Sequence, residues 1–507
     1  MLKSITSWKN FDVQSIPFWI ITATLGSVIF FRRIVQEGLS MDGLTYASIG
    51  RNLAIGKGSF WKPYFSSSYW LPYQSGTVFY EHPPLWFWAE SLFYKVLGDE
   101  IYVEKFVSTL VTIGIVALVV LIWNVYFEDS PATKHLGWLP ILVLFSFRLT
   151  EWTFAQNLLD TPVTLMNLAN IFVLILLAKG RLRLGIGATL AGLTVVVGLL
   201  IKGPFVLPVL AAPLALAAVG ALGFDWKRAV WAVVIELGVV LVAALILYAF
   251  DPSRLFFETY LKQQVLASLA NQRENIADSQ EFGQLQQLYE FLLNVSPALI
   301  IGIGLHAYMR VSLIRKKMPQ IQLAVWMLIL SMCVLLPQLL LKKQINYYLI
   351  QLLPYAALGL ASWLVVPINL VVEKRITAFP KTLSVVAWGS LVAGLIYLGS
   401  IFGEPYGSQQ GHLHDLRAFA KYIKPAAKVC VCEDVMLDYQ SHAYWQRYGR
   451  NEFRNVGSDC SVIMTFKGRS CTDSGRAMTT KLLNFKKLSI KSQVYDVLVR
   501  TAFQKMN

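Results

Sequence analysis

Two aspartates stand where helices are expected to begin. Asp42 opens the amphipathic stretch 42–55, and Asp160 opens the apolar stretch 160–178. Asp is a favourable N-cap residue, so a helix cap is one interpretation of each. The other interpretation is chemical, because two carboxylates on one side of a membrane can orient and deprotonate an acceptor group. We therefore take Asp42 and Asp160 as candidate catalytic residues.

A second group of residues is cationic and phenolic. Lys202 lies in a Lys-Gly-Pro turn between two apolar runs, and Lys342 and Lys343 precede Tyr347 and Tyr348 in another turn. Unpaired cations at a membrane face need an anion, and ammonium and phenol groups are good donors to phosphate. We expect these five residues to bind a phosphate group. Solvated or snorkelling charges are the alternative.

Four residues complete the candidate site. Arg273, in the Gln-rich loop 251–287, is a further candidate phosphate ligand, and a solvated loop charge is its alternative. Glu81 and His82 offer a carboxylate and an imidazole, which zinc-like divalent metals accept. Both are candidate metal ligands. Glu81 is also a candidate substrate-pocket residue, and His82 is also a candidate phosphate ligand. A polar turn before a helix from Pro84 is the alternative. Tyr46, one turn beyond Asp42, is a candidate substrate-pocket residue.

The elements that position these residues must be membrane helices. The 507-residue chain is 55% hydrophobic and 15% charged, with a mean hydropathy of +0.52. That composition excludes an ordinary soluble protein and is typical of polytopic membrane proteins. The net charge of +15 does not indicate nucleic-acid binding. Many basic residues lie in short loops beside apolar runs, where they set topology and contact anionic lipid headgroups.

Eleven segments are predicted to cross the membrane, at about 20 residues each. The third and fifth are the shortest. No small-residue cleavage site follows the first segment, so we expect an anchor there rather than a cleaved signal. The segments are 15–35, 104–124, 136–152, 160–178, 185–201, 204–223, 229–249, 288–308, 320–341, 345–368 and 382–402.

The distribution of basic residues predicts the orientation. With the N-terminus inside, fifteen lysines and arginines fall at the N-terminus and in the inner turns, and six fall at the outer ends of segments. The positive-inside rule then places residues 40–88, 251–287 and the tail from Gly403 outside. We expect a multi-pass protein of the cytoplasmic (inner) membrane whose active site and tail face outward, towards a periplasm.

Two domains are predicted, a transmembrane domain of residues 1–402 and an extracytoplasmic α/β domain of residues 403–507. Residues 40–88 are too polar to cross, and their helical apolar spacing and aromatics predict amphipathic helices on the membrane surface. In the tail, a helix at 413–423 is followed by β-like runs at 427–432, 461–466 and 494–501.

Four tail cysteines leave two interpretations open. Cys430, Cys432, Cys460 and Cys471 can form two disulfides in any of three pairings, or remain buried thiols.

Five motifs in order resemble the C-type (GT-C) membrane glycosyltransferases, in the branch with the aminoarabinose transferase of lipid A and the protein O-mannosyltransferases. The resemblance covers about residues 15–370. It implies an all-α polytopic fold and an enzyme that moves a sugar from a polyprenyl-phosphate donor to a lipid A, other glycolipid, glycan or protein acceptor. The motifs are Asp42 with Tyr46; Glu81-His82-Pro83-Pro84-Leu85; Asp160; Lys202-Gly203-Pro204; and Asn346-Tyr347-Tyr348-Leu349 with Leu353-Pro354.

The chain departs from this pattern at two positions. Gly43 stands where many relatives carry a second acid, and His82 stands where the aminoarabinose transferase has Lys. Two other classes are weighed against the enzyme. A transporter or flippase for a lipid-linked sugar needs the spans and the outer cations but not the two aspartates, and no internal repeat typical of many transporters is found. The second class, a structural subunit of an assembly, places no requirement on these residues.

Overall fold

The computed structural model describes residues 15–67, 77–272, 280–309, 318–376, 380–405, 410–457, 459–473, 476–477 and 484–501. The chain divides into two compact units. The helical unit contains the N-terminus up to Ile34, Ser108–Ala155 and Leu159–Phe402. The mixed unit contains Val35–Val107, Gln156–Leu158 and the chain from Gly403. The predicted domain boundary between residues 402 and 403 stays a prediction, and contacts group residues 35–107 with the tail.

Helices dominate the described residues. The α-helices are, in chain order, α1 (Ile16–Val35), α2 (Met41–Ala54), α3 (Leu85–Leu97), α4 (Val103–Tyr126), α5 (Pro131–Lys134), α6 (Trp138–Ser146), α7 (Arg148–Thr153), α8 (Asp160–Ala178), α9 (Leu184–Lys202), α10 (Ala212–Ala218), α11 (Trp226–Ala249), α12 (Asp251–Tyr260), α13 (Ala267–Leu269), α14 (Gln286–Tyr308), α15 (Pro319–Leu339), α16 (Leu353–Ile376), α17 (Pro380–Ser400), α18 (Gln410–Phe419), α19 (Glu433–Met436) and α20 (Tyr439–Tyr448). Segments of 3₁₀-helix lie at Gly203–Ala211, Ala221–Gly223, Gly283–Leu285 and Asn346–Leu352, and a π-helix at Leu261–Leu266.

Within the described residues, nine helical segments are long and apolar enough to cross a membrane. The chain is a multi-pass membrane protein, as its composition predicts. The count of nine differs from the predicted eleven at two places. The predicted third span is divided at Phe147, whose extended backbone (ψ 130°) separates α6 from α7. The predicted fifth and sixth spans are joined in one 35-residue segment, Leu184–Ala218.

This joined segment turns back on itself. A Cβ placed on Gly198 would lie 2.5 Å from a methyl group of Val206, eight residues later. Residues eight apart in a straight helix are separated by about 12 Å along the axis. The chain therefore reverses between them, at Lys202-Gly203.

The described strands of the mixed unit form a five-stranded sheet and two short antiparallel pairs. The strands are β1 (Gly58–Ser59), β2 (Lys62–Pro63), β3 (Lys428–Val431), β4 (Glu452–Asn455), β5 (Val462–Phe466), β6 (Thr472–Asp473), β7 (Arg476–Ala477), β8 (Phe485–Lys487) and β9 (Tyr495–Arg500). The short pairs are β1 with β2 and β6 with β7. The sheet has the strand order β4-β3-β5-β9-β8, in which β3 runs parallel to β4 and β5, whereas β9 runs antiparallel to β5 and β8. The three predicted β-like runs of the tail are found as β3, β5 and β9, and the predicted helix as α18.

Alternation along β3 gives this sheet two different cores. Val429 and Val431 belong to a cluster with Trp445, Phe453 and other apolar residues. The cysteines form the other cluster, in two disulfides, Cys430–Cys460 and Cys432–Cys471. This pairing is one of the three that the sequence leaves open. The prediction of a helical membrane protein with a small strand-containing C-terminal domain is confirmed.

Candidate active site

The N-terminus of α2 positions Asp42. Ser40 is the N-cap, and its Oγ accepts a hydrogen bond from the backbone N–H of Gly43 at 3.4 Å. Asp42 is the second residue of the helix and is partly buried. The cap interpretation of Asp42 is therefore wrong, because a neighbouring side chain already satisfies the helix end.

Gly43 permits an unusually close backbone approach. A Cβ on Gly43 would lie 2.0 Å from the carbonyl oxygen of Gln156. The Gln156 side chain accepts a hydrogen bond from the backbone N–H of Ser40 at 2.6 Å, and the Asn157 Nδ2 donates to the carbonyl oxygen of Gly43 at 3.3 Å. The glycine found in place of a second acid thus lets residues 156 and 157 hold the start of α2.

A buried carboxyl group contacts Asn157. Glu90 of α3 is fully buried, and its Oε1 accepts from the Asn157 Nδ2 at 2.8 Å. Burial and the nearby Glu104 carboxylate raise the pKa of Glu90 to about 8. Glu90 therefore carries a proton at neutral pH. No helical or turn pattern singles out Gln156, Asn157 or Glu90, because each acts through partners far away in sequence.

Tyr46, predicted for the substrate pocket, and His82, predicted for the phosphate or a metal, meet in the mixed unit. The rings of Tyr46 and His82 lie 5.6 Å apart, edge to face, and Phe87 lies 5.7 Å from Tyr46. Glu81 and His82 are partly buried. In the described ranges no group of three or more His, Cys, Asp or Glu side chains is arranged to hold a metal. Two adjacent ligands fall short of the usual three protein ligands of a catalytic zinc, so we derive no step through a metal.

In the helical unit, Lys202 and Asp160 form a buried ion pair. Lys202 ends α9 and Asp160 begins α8, and their side chains are 3% and 1% exposed. Lys202 is therefore not a solvated or snorkelling charge, and the premise of an unpaired cation is wrong because Asp160 is its anion. The N-cap position of α8 belongs to Leu159, so Asp160 is not a cap either. Its Oδ1 has no hydrogen-bond partner in the described structure.

Aromatic rings surround the ammonium group of Lys202. The centroids of Tyr348, Phe205 and Tyr347 lie 4.6, 4.9 and 5.5 Å from the Lys202 Nζ. A cation is attracted to such ring faces, more strongly where water is excluded. Three residues that were predicted separately from sequence, Lys202, Tyr347 and Tyr348, are thus brought together around one charge.

The turn after Lys202 depends on a residue that the sequence did not suggest. Gly203 has a φ of +74°, and a Cβ there would lie 2.0 Å from the hydroxyl of Tyr260. That hydroxyl donates to the carbonyl oxygen of Lys202 at 3.4 Å. Glycine is required both by the left-handed backbone and by the close phenol.

An apolar cavity of about 260 Å³ adjoins this turn. Gly203, Pro204 and Arg254 contribute to its wall. The remaining lining comes mainly from α9, α11 and α12, including Leu199, Leu200, Ala243, Leu247, Phe257 and Tyr260. Lys342 and Lys343 are partly exposed just before the segment Asn346–Leu352. Arg273 lies outside the described residues.

No protein-family model and no curated protein matches the chain. Solved structures do match the chain. ArnT from Cupriavidus metallidurans bound to undecaprenyl phosphate superposes with a TM-score of 0.63 at 12% identity, over 94% of this chain and 97% of that one. The apo form of the same protein gives a TM-score of 0.57 at 12% identity, over 93% and 95% of the two chains.

An oligosaccharyltransferase from Archaeoglobus fulgidus, in complex with zinc and sulfate, is also similar. Its TM-score is 0.52 at 11% identity, over 89% of this chain and 68% of that one. ArnT is an aminoarabinose transferase, and both proteins are GT-C glycosyltransferases. The chain therefore has the GT-C fold that its motifs predict.

Proposed function

We propose that the chain is an integral-membrane glycosyltransferase, which moves a sugar from a polyprenyl-phosphate donor to an acceptor at the outer face of the cytoplasmic membrane. The observation that carries this proposal is the Lys202–Asp160 pair, enclosed by aromatic rings at a chain reversal beside an apolar cavity. The similarity to ArnT, whose structure holds undecaprenyl phosphate, supports the same donor class.

The donor phosphate binds by competing with Asp160 for Lys202. A phosphate oxygen accepts a charge-assisted hydrogen bond from the ammonium group. In this proposal the phenols of Tyr347 and Tyr348, whose ring centroids lie 5.5 and 4.6 Å from the Lys202 Nζ, donate further bonds. The isoprenoid chain then lies in apolar surroundings such as the cavity beside Gly203. Lys342, Lys343, Arg273 and His82 stay candidates for the same phosphate.

The reaction exchanges one bond at the anomeric carbon for another. The acceptor oxygen forms a bond to that carbon, while the bond from the carbon to the phosphate oxygen breaks and its electron pair stays on the phosphate. Cations stabilise the charge on the departing phosphate. The acceptor proton passes to a carboxylate, for which Asp42 is the first candidate and Asp160, with its unpartnered Oδ1, the second. Tyr46 and Glu81 belong to the substrate pocket in this proposal.

The outer location rests on two independent arguments. Basic residues are concentrated in the predicted inner turns. The tail also carries two disulfides, which persist in oxidising compartments and are rare in the cytosol.

Binding of undecaprenyl phosphate to charge variants of the purified protein tests the donor site. Lys202→Met should weaken binding by about tenfold or more, since a hydrogen bond to a charged group contributes about 1.5–3 kcal/mol. Asp160→Asn should bind the lipid as tightly as the wild type or more tightly, because the competing anion is gone.

Two further variants separate binding from folding. Lys202→Met combined with Asp160→Asn leaves no buried charge unpaired, and it should still bind weakly. Lys227→Met, at an exposed lysine that begins α11, is the matched control and should be silent. Wild-type affinity in the double variant would contradict the donor site. Lipid binding without sugar transfer in a single-turnover assay would instead favour a flippase.

A further inference from the structure

Buried carboxamides gather at the turn between α15 and Asn346–Leu352. Gln338 lies in the last turn of α15, and Gln344 lies two residues before the 3₁₀ segment. Both residues are buried, with Gln338 5% and Gln344 1% exposed. Gln280, at the end of the preceding loop, approaches the same turn, since its Nε2 donates to the carbonyl oxygen of Gln344 at 3.1 Å.

Neighbouring carbonyl groups fix which way these amides face. The Gln338 Nε2 donates to the carbonyl oxygen of Tyr348 at 3.2 Å, and the Gln344 Nε2 donates to that of Gln284 at 2.7 Å. A carbonyl oxygen only accepts hydrogen bonds, so each amide must turn its NH₂ group to the backbone. The Oε1 atoms of Gln280, Gln338 and Gln344 therefore face away from these carbonyl oxygens.

All three of these oxygens lack a hydrogen-bond donor in the described structure. Gln287, one turn beyond Gln284 on α14, has no partner for either end of its amide and is fully buried. Buried polar atoms are nearly always hydrogen-bonded in folded proteins, because leaving one unpaired is costly. A group of unpaired acceptors therefore indicates a ligand that brings several hydrogen-bond donors.

Tyr348 joins this cluster to the ion pair. Its ring lies 4.6 Å from the Lys202 Nζ, while its carbonyl oxygen accepts from Gln338. One residue thus contacts both the candidate phosphate ligand and the carboxamides. A group attached directly to a phosphate at Lys202 is therefore next to a residue that Gln338 contacts.

We propose that the carboxamides of Gln287, Gln338 and Gln344 bind hydroxyl groups of the sugar that the donor carries. This inference rests on the proposed function and names its sugar class. Hydroxyl groups supply the missing donors without adding charge. An ammonium group would need a counter-charge when buried, which neutral amide oxygens do not provide. The carboxamides therefore favour a neutral, hydroxylated sugar over an amino sugar.

Affinities for three lipids test the inference: undecaprenyl phosphate, the same lipid bearing mannose, and the same lipid bearing 4-amino-4-deoxyarabinose. The wild type should bind the mannose lipid most tightly. In Gln287→Leu and in Gln338→Leu, its affinity should fall about tenfold, while that for bare undecaprenyl phosphate stays unchanged. Gln322→Leu is the matched control on α15. The Gln322 amide lies at the opposite end of that helix from Gln338 and donates to the carbonyl oxygen of Gly220.

Each other outcome has a distinct meaning. An equal loss for all three lipids, or no loss for any, overturns the sugar site and leaves only ordered water at the amides. Tighter wild-type binding of the amino-sugar lipid overturns the preference for a neutral sugar. Failure of the wild type to bind any of the lipids removes the proposed donor, and this inference with it. Gln287→Leu breaks no hydrogen bond of the described structure, so its thermal unfolding midpoint should not fall.

Discussion

At the scale of single residues, helix ends decide between structural and chemical roles for the aspartates. The sequence permits Asp42 and Asp160 to be caps, because cap positions are uncertain by a residue or two in any pattern. The structure assigns the caps to Ser40 and Leu159. It also shows what sequence spacing did not indicate, that Asp160 is paired with Lys202, 42 residues later.

Asp42→Asn should abolish transfer and spare the fold. Asn keeps the shape of the side chain but does not accept the acceptor proton, so the rate should fall by about 10²–10⁴-fold. Affinity for undecaprenyl phosphate should be unchanged. Ser40→Ala is the control, since it removes the cap at a cost of about 1 kcal/mol and keeps the carboxylate. Near-normal single-turnover transfer in Asp42→Asn would leave Asp160 as the remaining candidate base.

Glu90 should make stability fall as pH rises. Its folded pKa of about 8 lies above the ordinary value of 4.5, so between pH 4.5 and pH 8 the folded protein holds a proton that the unfolded chain has lost. The stability contribution is fully present below pH 4.5 and is lost at about 1.4 kcal/mol per pH unit up to pH 8. Glu90→Gln mimics the protonated group and should flatten this part of the curve. Thermal unfolding of detergent-solubilised protein between pH 5 and 9 measures the effect, and identical pH profiles would contradict it.

At the scale of elements, apolar runs were predictable and their interruptions were not. Most spans begin and end within a few residues of their predicted limits, because a bilayer core demands long apolar helices. The division at Phe147 lies inside the predicted span 136–152, where the sequence shows the charged residues Arg148 and Glu151 but does not reveal that the backbone is extended at Phe147. Three of the five strands of the tail sheet, β3, β5 and β9, were predictable as β-like runs, whereas β4 and β8 were not. The contacts that hold Asp42 were not, since Ser40 and Gln156 lie 116 residues apart.

Helix α20 of the tail is locked to the start of α4 by Arg447. Its guanidinium group donates to Asp99 and Glu104, each at 2.9 Å, and is 2% exposed. Arg447→Met should destabilise the protein by about 3–5 kcal/mol, because the buried Glu104 carboxylate loses its ion pair with the guanidinium group. Arg450→Met is the matched control. Arg450 also pairs with Asp99 but is 53% exposed, so its loss should cost under about 1 kcal/mol. Similar shifts in unfolding temperature for the two variants would contradict the lock.

At the scale of the whole chain, contacts within the helical unit constrain the number of crossings. Lys179 and Arg181 form ion pairs with Glu128, so the turns after α4 and after α8 lie on one side. An even number of crossings must separate the two turns. Since α8 is one crossing, α6 and α7 together must form the other. Arg228 likewise donates to the carbonyl oxygen of Leu177 at 2.8 Å, which requires Leu184–Ala218 to cross out and back. We infer eleven crossings from nine apolar segments.

A reporter fused after Gly180 distinguishes eleven crossings from nine. With eleven, Gly180 lies opposite the tail, and an alkaline phosphatase fusion there should be inactive. With nine, α6 and α7 do not cross, and the same fusion lies outside and is active. Fusions in the tail, for example after Gly468, should be active in either case and serve as the control. A cytoplasmic signal from the tail would overturn the outward orientation of the whole site.

The mixed unit is assembled from stretches that the ribosome makes at opposite ends of the chain. Arg51 of α2 donates to the carbonyl oxygen of Gln446 at 2.8 Å, and Tyr444 donates to that of Leu39 at 3.0 Å. The helix that carries Asp42 is synthesised early, but its hydrogen-bond partners in α20 are synthesised only after every later span. A chain that terminates early therefore lacks the contacts that hold this helix. If Asp42 acts as proposed, an incomplete chain does not carry out the transfer.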